Sequence, residues 1–89
     1  MNKIYRTVII DDEESAIDNL CQALKPYGQI VVEGVAHNGA AGLKLIEKVR
    51  PDLVFQDVEL PDMLGMELVT RARKKLGVNM EVVFYTAYN

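Results

Sequence analysis

The residues of this sequence best suited to chemistry are acids and a hydroxyl that follow short apolar runs. Asp11 and Asp12 come directly after the first run, Asp57 ends the third, and Thr86 follows the fourth. In open parallel sheets, sites form beyond the carboxyl ends of the strands. We therefore expect these side chains to share one site if the runs are neighbouring strands.

Such a group of acids must be neutralised. Three carboxylates about 5 Å apart repel one another by roughly 3 kcal/mol per pair at an effective dielectric constant of 20. Either one carboxyl group takes up a proton or a divalent cation binds among them. Because no His or Cys is expected nearby, the oxygen ligands favour Mg²⁺ or Mn²⁺ over zinc. An oxygen-only site with open water positions suits phosphate oxygens, which predicts a phosphoryl group as the substrate.

The positions of the acids predict different roles for them. Asp57 stands alone at its strand end before a turn and is the candidate nucleophile, which would become an aspartyl phosphate. Asp12 is the expected direct metal ligand, and Asp11 is expected to act through a water molecule. The hydroxyl of Thr86 can donate a hydrogen bond to a phosphoryl oxygen.

The elements that must position these residues alternate between strand and helix. The strands read as nearly continuous apolar runs, as in parallel sheets covered on both faces. The helices show apolar residues at helical spacing and end before Pro or Gly. Strands are predicted at residues 4–10, 30–36, 53–55 leading to Asp57, and 81–85, and helices from Ser15 to before Pro26, from the N-cap Asn38 to before Pro51, and over Gly65–Leu76.

The order β-α-β-α-β-α-β predicts an α/β fold with a doubly wound parallel sheet. Acids end the first and third strands but not the second. This indicates the strand order 2-1-3-4, in which the first and third strands are neighbours where the winding reverses.

Composition limits the possible functions. Eighty-nine residues form one domain, residues 1–89, and 49% apolar with 26% charged residues is the balance of a globular protein. The net charge of −3 argues against direct nucleic acid contact by this segment. No apolar stretch approaches the roughly eighteen residues of a membrane span. The single Cys21 forms no disulfide framework within one chain, so we expect a reducing, cytoplasmic location.

Three segments carry a resemblance to a known family. Residues 8–13, residues 52–61 with Gly65, and residues 82–88 together resemble the receiver domain of two-component response regulators. The ending Thr86-Ala87-Tyr88 is similar to receivers of the LytR/AlgR type, whose longer chains carry a LytTR DNA-binding domain. The flavodoxin-like receiver fold agrees with the predicted strand order.

The resemblance implies a signalling switch rather than an enzyme acting on an outside substrate. A sensor histidine kinase would donate a phosphoryl group to Asp57. Asp12, Asp57 and the backbone carbonyl of Glu59 would bind Mg²⁺, with Asp11 acting through water. Thr86 would be the switch hydroxyl, and the output of the full protein would be transcription regulation.

The sequence also departs from the family pattern. Receivers of this family carry a fifth strand ending in a Lys that pairs with the phosphoryl group, and two further helices; neither that Lys nor these elements occur after Thr86. We interpret the chain as the N-terminal part of a receiver. Its fourth strand would then be an open, apolar sheet edge through which the chain associates with itself. Gln56 stands where an apolar residue is commoner.

Two other functions stay open at this point. A haloacid-dehalogenase-like phosphatase also attacks with an Asp at a strand end beside Mg²⁺, but its second Asp, two residues later, is Glu59 here. The other alternative is a receiver-like interaction module that never takes up phosphate. A P-loop is not supported, because Ala40 and Ala41 follow Gly34-x₄-Gly39 where Lys and Ser or Thr are needed.

Overall fold

A computed structural model describes residues 3–77 and 79–86. Their elements follow the predicted order. Ala87 and Tyr88 of the predicted motif lie outside the described residues. The elements are β1 (Tyr5–Ile10), α1 (Glu14–Leu24), β2 (Ile30–Ala36), α2 (Gly39–Val49), β3 (Leu53–Asp57), α3 (Gly65–Leu76) and β4 (Glu81–Tyr85).

The four strands form one parallel sheet in the order β2-β1-β3-β4, which confirms the predicted topology. The chain moves from β1 to β2 on one side and then crosses back to β3 on the other. Right-handed crossovers therefore place α1 on one face of the sheet and the later helices on the opposite face. In the register of β3 with β4, Asp57 pairs with Tyr85.

β2 is continuous from Ile30 to Ala36, although the polar Glu33 and the flexible Gly34 lie within its apolar run, and it contains a bulge at Glu33. Thr7 of β1 pairs with Val32, but the next residue, Val8, pairs with Gly34, so that Glu33 is the extra residue. The Glu33 carboxylate accepts a hydrogen bond from Nε of Arg6 at 2.8 Å. The bulge therefore keeps a charged side chain at the surface without ending the strand.

The main core lies between the sheet and the pair α2 and α3. Alternate residues of β1 and β3 point to this face, as the period of two in a strand requires. The apolar residues at helical spacing in α1 are only partly covered: Ile17 is buried, whereas Leu20, Cys21 and Leu24 are half-buried. The buried core cluster consists of Val8, Ile10, Ala36, Ile46, Val49, Val54, Leu60, Leu68, Val69, Ala72 and Met80.

The helix ends explain where the elements stop. The side chain of Asn38 accepts a hydrogen bond from the backbone N–H of Ala41 at 2.8 Å, which confirms the predicted N-cap of α2. α2 ends at Val49, and its C-cap Arg50 adopts a left-handed conformation with φ of 53° directly before Pro51. α3 ends at Leu76, and its C-cap Gly77 is also left-handed with φ of 61°, a conformation that Gly adopts without steric cost.

No helix among the described residues combines the length and the apolar character that a membrane crossing requires.

The outer edge of β4 is open within the described part of the chain. β4 pairs there with β3 alone, and Val83 and Phe84 are 43% and 37% exposed.

Association through this edge stays a prediction. We expect the sedimentation coefficient of the isolated 89-residue chain to rise with concentration. Val83→Lys, which adds charge to the edge, should suppress the rise, and a concentration-independent monomer would contradict the prediction.

Candidate functional site

The structure brings together three of the residues singled out from the sequence. Asp11, Asp12 and Asp57 each offer one carboxylate oxygen, and these oxygens all lie within 4.8 Å of one another. Asp11 and Asp57 are buried, with 1% and 9% of their surface exposed, whereas Asp12 is exposed. The grouping follows from the topology, because β1 and β3 are adjacent and parallel.

The electrostatics of the group match the expected repulsion. Burial raises the pKa of Asp57, and the nearby carboxylates of Asp11 and Asp12 raise it further. The backbone N–H of Glu59 opposes this by donating to Oδ1 of Asp57 at 3.2 Å. A proton or a cation therefore relieves the charge, and a donor set made only of carboxylate oxygens fits a hard dication such as Mg²⁺.

The Asp11 carboxylate is held at both oxygens. The backbone N–H of Glu13 donates to Oδ1 at 2.9 Å, and the hydroxyl of Tyr85 donates to Oδ2 at 2.8 Å. Burial, followed by this hydrogen bond and the charge of Asp11, raises the pKa of the Tyr85 phenol. We expected Tyr85 only as part of an apolar strand. Its position at the last residue of β4, beside Thr86, was the available signal for a role at this edge.

The turn after β3 positions the main chain beside the acids. The N–H of Leu60 donates to the carbonyl of Met63 at 3.0 Å, and the N–H of Gly65 donates to the carbonyl of Val58 at 2.8 Å. Neither bond uses the carbonyl oxygen of Glu59, the predicted backbone ligand. The metal-binding role of Glu59 stays a prediction.

Thr86 directly follows β4 and is exposed. None of the side-chain hydrogen bonds of the described residues involves its hydroxyl. Its place at the carboxyl end of the sheet is the predicted one, and its role as a switch stays a prediction.

Gly65 allows α3 to begin against the backbone of β3. A methyl group at this position would overlap the carbonyl oxygen of Asp57 and approach Cγ of Gln56 to 3.0 Å. Gln56 is fully buried there; its Nε2 donates to the Asp57 carbonyl at 3.1 Å, while Oε1 finds no partner among the described residues. The backbone of Asp57 is therefore confined on the side that faces α3.

Gly65→Ala should destabilise the chain and displace Asp57. We expect the free energy of unfolding to fall by roughly 1 to 3 kcal/mol, because the added methyl group overpacks a rigid backbone contact. Urea denaturation measures this. Gly28→Ala is the matched control, since a methyl group there meets nothing within 4 Å, and it should change the free energy by about 0.5 kcal/mol or less. Equal stability of the two variants would contradict the close approach.

Asp62 attaches this turn to the start of α2. Its two carboxylate oxygens accept hydrogen bonds from the backbone N–H groups of Gly39 at 2.7 Å and Ala40 at 3.0 Å. These two bonds, in that order, lower the pKa of Asp62. Asp62 was not among the predicted site residues, because its partners lie more than twenty positions away along the chain.

The lowered pKa of Asp62 predicts a pH-dependent contribution to stability. The contribution is fully present above the pKa of the unfolded chain, about 4, and is lost as the pH falls through the lower folded-state value. Asp62→Ala should therefore unfold at lower urea concentration than the wild type at pH 7, with a gap that closes in acid. Asp18→Ala, which removes an exposed carboxylate without a hydrogen bond among the described residues, should show no such closing gap.

Comparison with known proteins identifies the family. The model of the response regulator receiver domain matches residues 7–89. The chain belongs to this family. The receiver topology, with its acids at the ends of β1 and β3, is thus the arrangement expected from the sequence.

Relatives and solved structures agree. An uncharacterized response regulatory protein of Vibrio cholerae is 42% identical over 92% of this chain and 34% of its own length. The transcriptional regulatory protein BtsR of Escherichia coli is 34% identical over 74% of the chain and 28% of its own length. The receiver domain of the putative response regulator NarL from Mycobacterium tuberculosis superposes with a TM-score of 0.85 at 29% identity, covering 98% of this chain and 69% of that one. The chain thus spans about a third of these curated relatives.

Proposed function

We propose that this chain is the phosphoacceptor of a two-component system and receives a phosphoryl group on Asp57 from a sensor histidine kinase. The convergence of Asp11, Asp12 and Asp57 within 4.8 Å supports this function. Two acids that follow β1 and one that ends β3 form a group of oxygen ligands. Its buried carboxylates, those of Asp11 and Asp57, have no cationic partner among the described ion pairs.

In this proposal Asp57 is the nucleophile. One of its oxygens forms a bond to phosphorus while the phosphorus–nitrogen bond of the phosphohistidine breaks, and the electron pair of that bond stays with the imidazole nitrogen. The N–H of Glu59 already donates to Oδ1 of Asp57 and so holds the nucleophilic carboxylate in place. The hydroxyl of Thr86 would donate to a phosphoryl oxygen and so connect the reaction to the end of β4.

Asp12, Asp57 and the carbonyl oxygen of Glu59 would hold Mg²⁺, with Asp11 contributing through a water molecule. When bound, the ion supplies positive charge that stabilises the phosphoryl oxygens during transfer. The raised pKa of Asp57 supports this role, because burial and then the neighbouring carboxylates of Asp11 and Asp12 disfavour its negative charge.

Two alternatives are weaker. Membership of the receiver family speaks against a haloacid-dehalogenase-like phosphatase, as does the use of both Asp11 and Asp12 in the same acidic group. A receiver-like module that never takes up phosphate would need none of these carboxylates within reach of one another. The acceptor function accounts for all three.

Replacement of Asp57 tests the proposal. In the whole protein as the cell makes it, we expect acetyl phosphate with Mg²⁺ to add one phosphoryl group per chain, in a bond that hydroxylamine cleaves, measured by intact mass spectrometry. Asp57→Asn should abolish this labelling because an amide oxygen is a poor nucleophile, and Asp18→Asn should retain it. Labelling of the Asp57→Asn variant would show that the acceptor is another residue. Catalytic release of phosphate would indicate a phosphatase.

We further propose that the output is DNA binding of the LytTR type, acting in transcription regulation. The support is the resemblance carried by Thr86-Ala87-Tyr88 and the similarity to a transcriptional regulatory protein. The test is whether phosphorylation at Asp57 changes the affinity of the whole protein for its own promoter region, measured by gel shift.

A further inference from the structure

The hydroxyl of one tyrosine reaches the acidic group from β4. Tyr85 donates to Oδ2 of Asp11 at 2.8 Å, across 74 positions of the sequence. The other described tyrosines, Tyr5 and Tyr27, are 36% and 61% exposed and make no such contact. The contact is possible because Tyr85 pairs with Asp57 in the sheet, one strand beyond the acids.

The burial of Asp11 makes this hydrogen bond important for its orientation. Asp11 is 1% exposed, so water has little access to replace a lost donor. A buried carboxylate oxygen without a donor is energetically unfavourable, and charge-assisted hydrogen bonds are stronger than neutral ones. The Glu13 N–H fixes Oδ1, and the Tyr85 hydroxyl fixes Oδ2. Together these two donors fix the orientation of the Asp11 carboxylate.

Tyr85 is also fixed at its backbone. Its carbonyl oxygen accepts a hydrogen bond from the N–H of Val58, the residue after Asp57, at 3.0 Å. One residue thus contacts the strand end of β1 through its hydroxyl and the segment after β3 through its main chain. Thr86 follows directly, so that a movement at Thr86 acts on a residue already bonded to Asp11.

We propose that Tyr85 is a positioning residue for the metal-binding acids, which holds Asp11 in its binding orientation before the cation arrives. This inference rests on the proposed function of the site. Orientation in advance removes part of the reorganisation that binding would otherwise require. It also makes the end of β4 part of the cation site, although Tyr85 itself need not touch the ion.

Tyr85→Phe tests the role, because it removes the hydroxyl and keeps the ring. We expect the Kd for Mg²⁺, measured by calorimetric titration of the whole protein, to rise about fivefold, which corresponds to about 1 kcal/mol, the usual net value of a hydrogen bond. The matched control is Tyr27→Phe, which removes an exposed hydroxyl and should leave the Kd unchanged.

A second measurement follows the Asp11 carboxylate itself, without metal. The Glu13 amide donates to Oδ1 of Asp11, so its ¹H–¹⁵N resonance reports the orientation of that carboxylate. We expect this resonance to shift in Tyr85→Phe and not in Tyr27→Phe.

The outcomes separate this inference from the proposed function. A wild-type Kd in Tyr85→Phe, or tighter binding, would overturn the positioning role, since the hydroxyl would then be neutral toward the metal or compete with it. An unmoved Glu13 resonance would overturn it as well. Absence of Mg²⁺ binding in the wild type would overturn the proposed function and this inference with it.

Discussion

The mutual repulsion of three carboxylates is the constraint on which the rest of this structure depends. Asp11 and Asp57 are buried and Asp12 lies beside them, although each pair of negative charges raises the free energy of the folded chain. Such a group persists only where the surrounding structure leaves the acids no alternative position. The parallel pairing of β1 with β3 does this, because both strands end at the same edge. The core between the sheet and α2 and α3 then stabilises the pairing.

The loop after β3 is fixed by contacts on several sides. Asp62 bonds the N-terminus of α2, Gly65 packs α3 against the carbonyl of Asp57, and the N–H of Val58 bonds the carbonyl of Tyr85. These contacts come from different elements, so the loop connects α2, α3 and β4 at the site. The main chain that follows Asp57 is therefore fixed by contacts with three different elements.

The parts of the fold that were predictable from the sequence are those that depend on local pattern. The strands and helices follow from apolar periodicity, the cap at Asn38 from its residue type, and the strand order from the acids that end β1 and β3. The grouping of Asp11, Asp12 and Asp57 followed from that topology. None of these inferences required knowledge of a side-chain contact between distant positions.

The parts that were missed depend on such contacts. Tyr85 reads as one more apolar residue of a strand, and only the register of β3 with β4 brings its hydroxyl to Asp11. Asp62 reads as a turn residue, and only the packing of the turn against α2 makes it a helix cap. The turn glycine Gly65 was predictable as a turn signal, but the reason that it excludes a side chain is the carbonyl of Asp57, which the sequence does not reveal.

The energetically unfavourable groups of this fold are concentrated at one edge of the sheet. The apolar core surrounds the middle of the sheet, whereas the unfavourable groups are gathered at its carboxyl edge: the repelling acids and the buried amide of Gln56, whose Oε1 lacks a partner among the described residues. In the proposed function, a cation bound to the acids would stabilise the folded state by an amount that rises with the logarithm of its affinity, because it would bind only where the ends of β1 and β3 meet. The Tyr85 hydroxyl, which bonds Asp11, and the Tyr85 carbonyl, which bonds the Val58 N–H, join β4 to this edge. The acidic group and Thr86 are therefore connected through Tyr85, at the edge of the sheet rather than through its core.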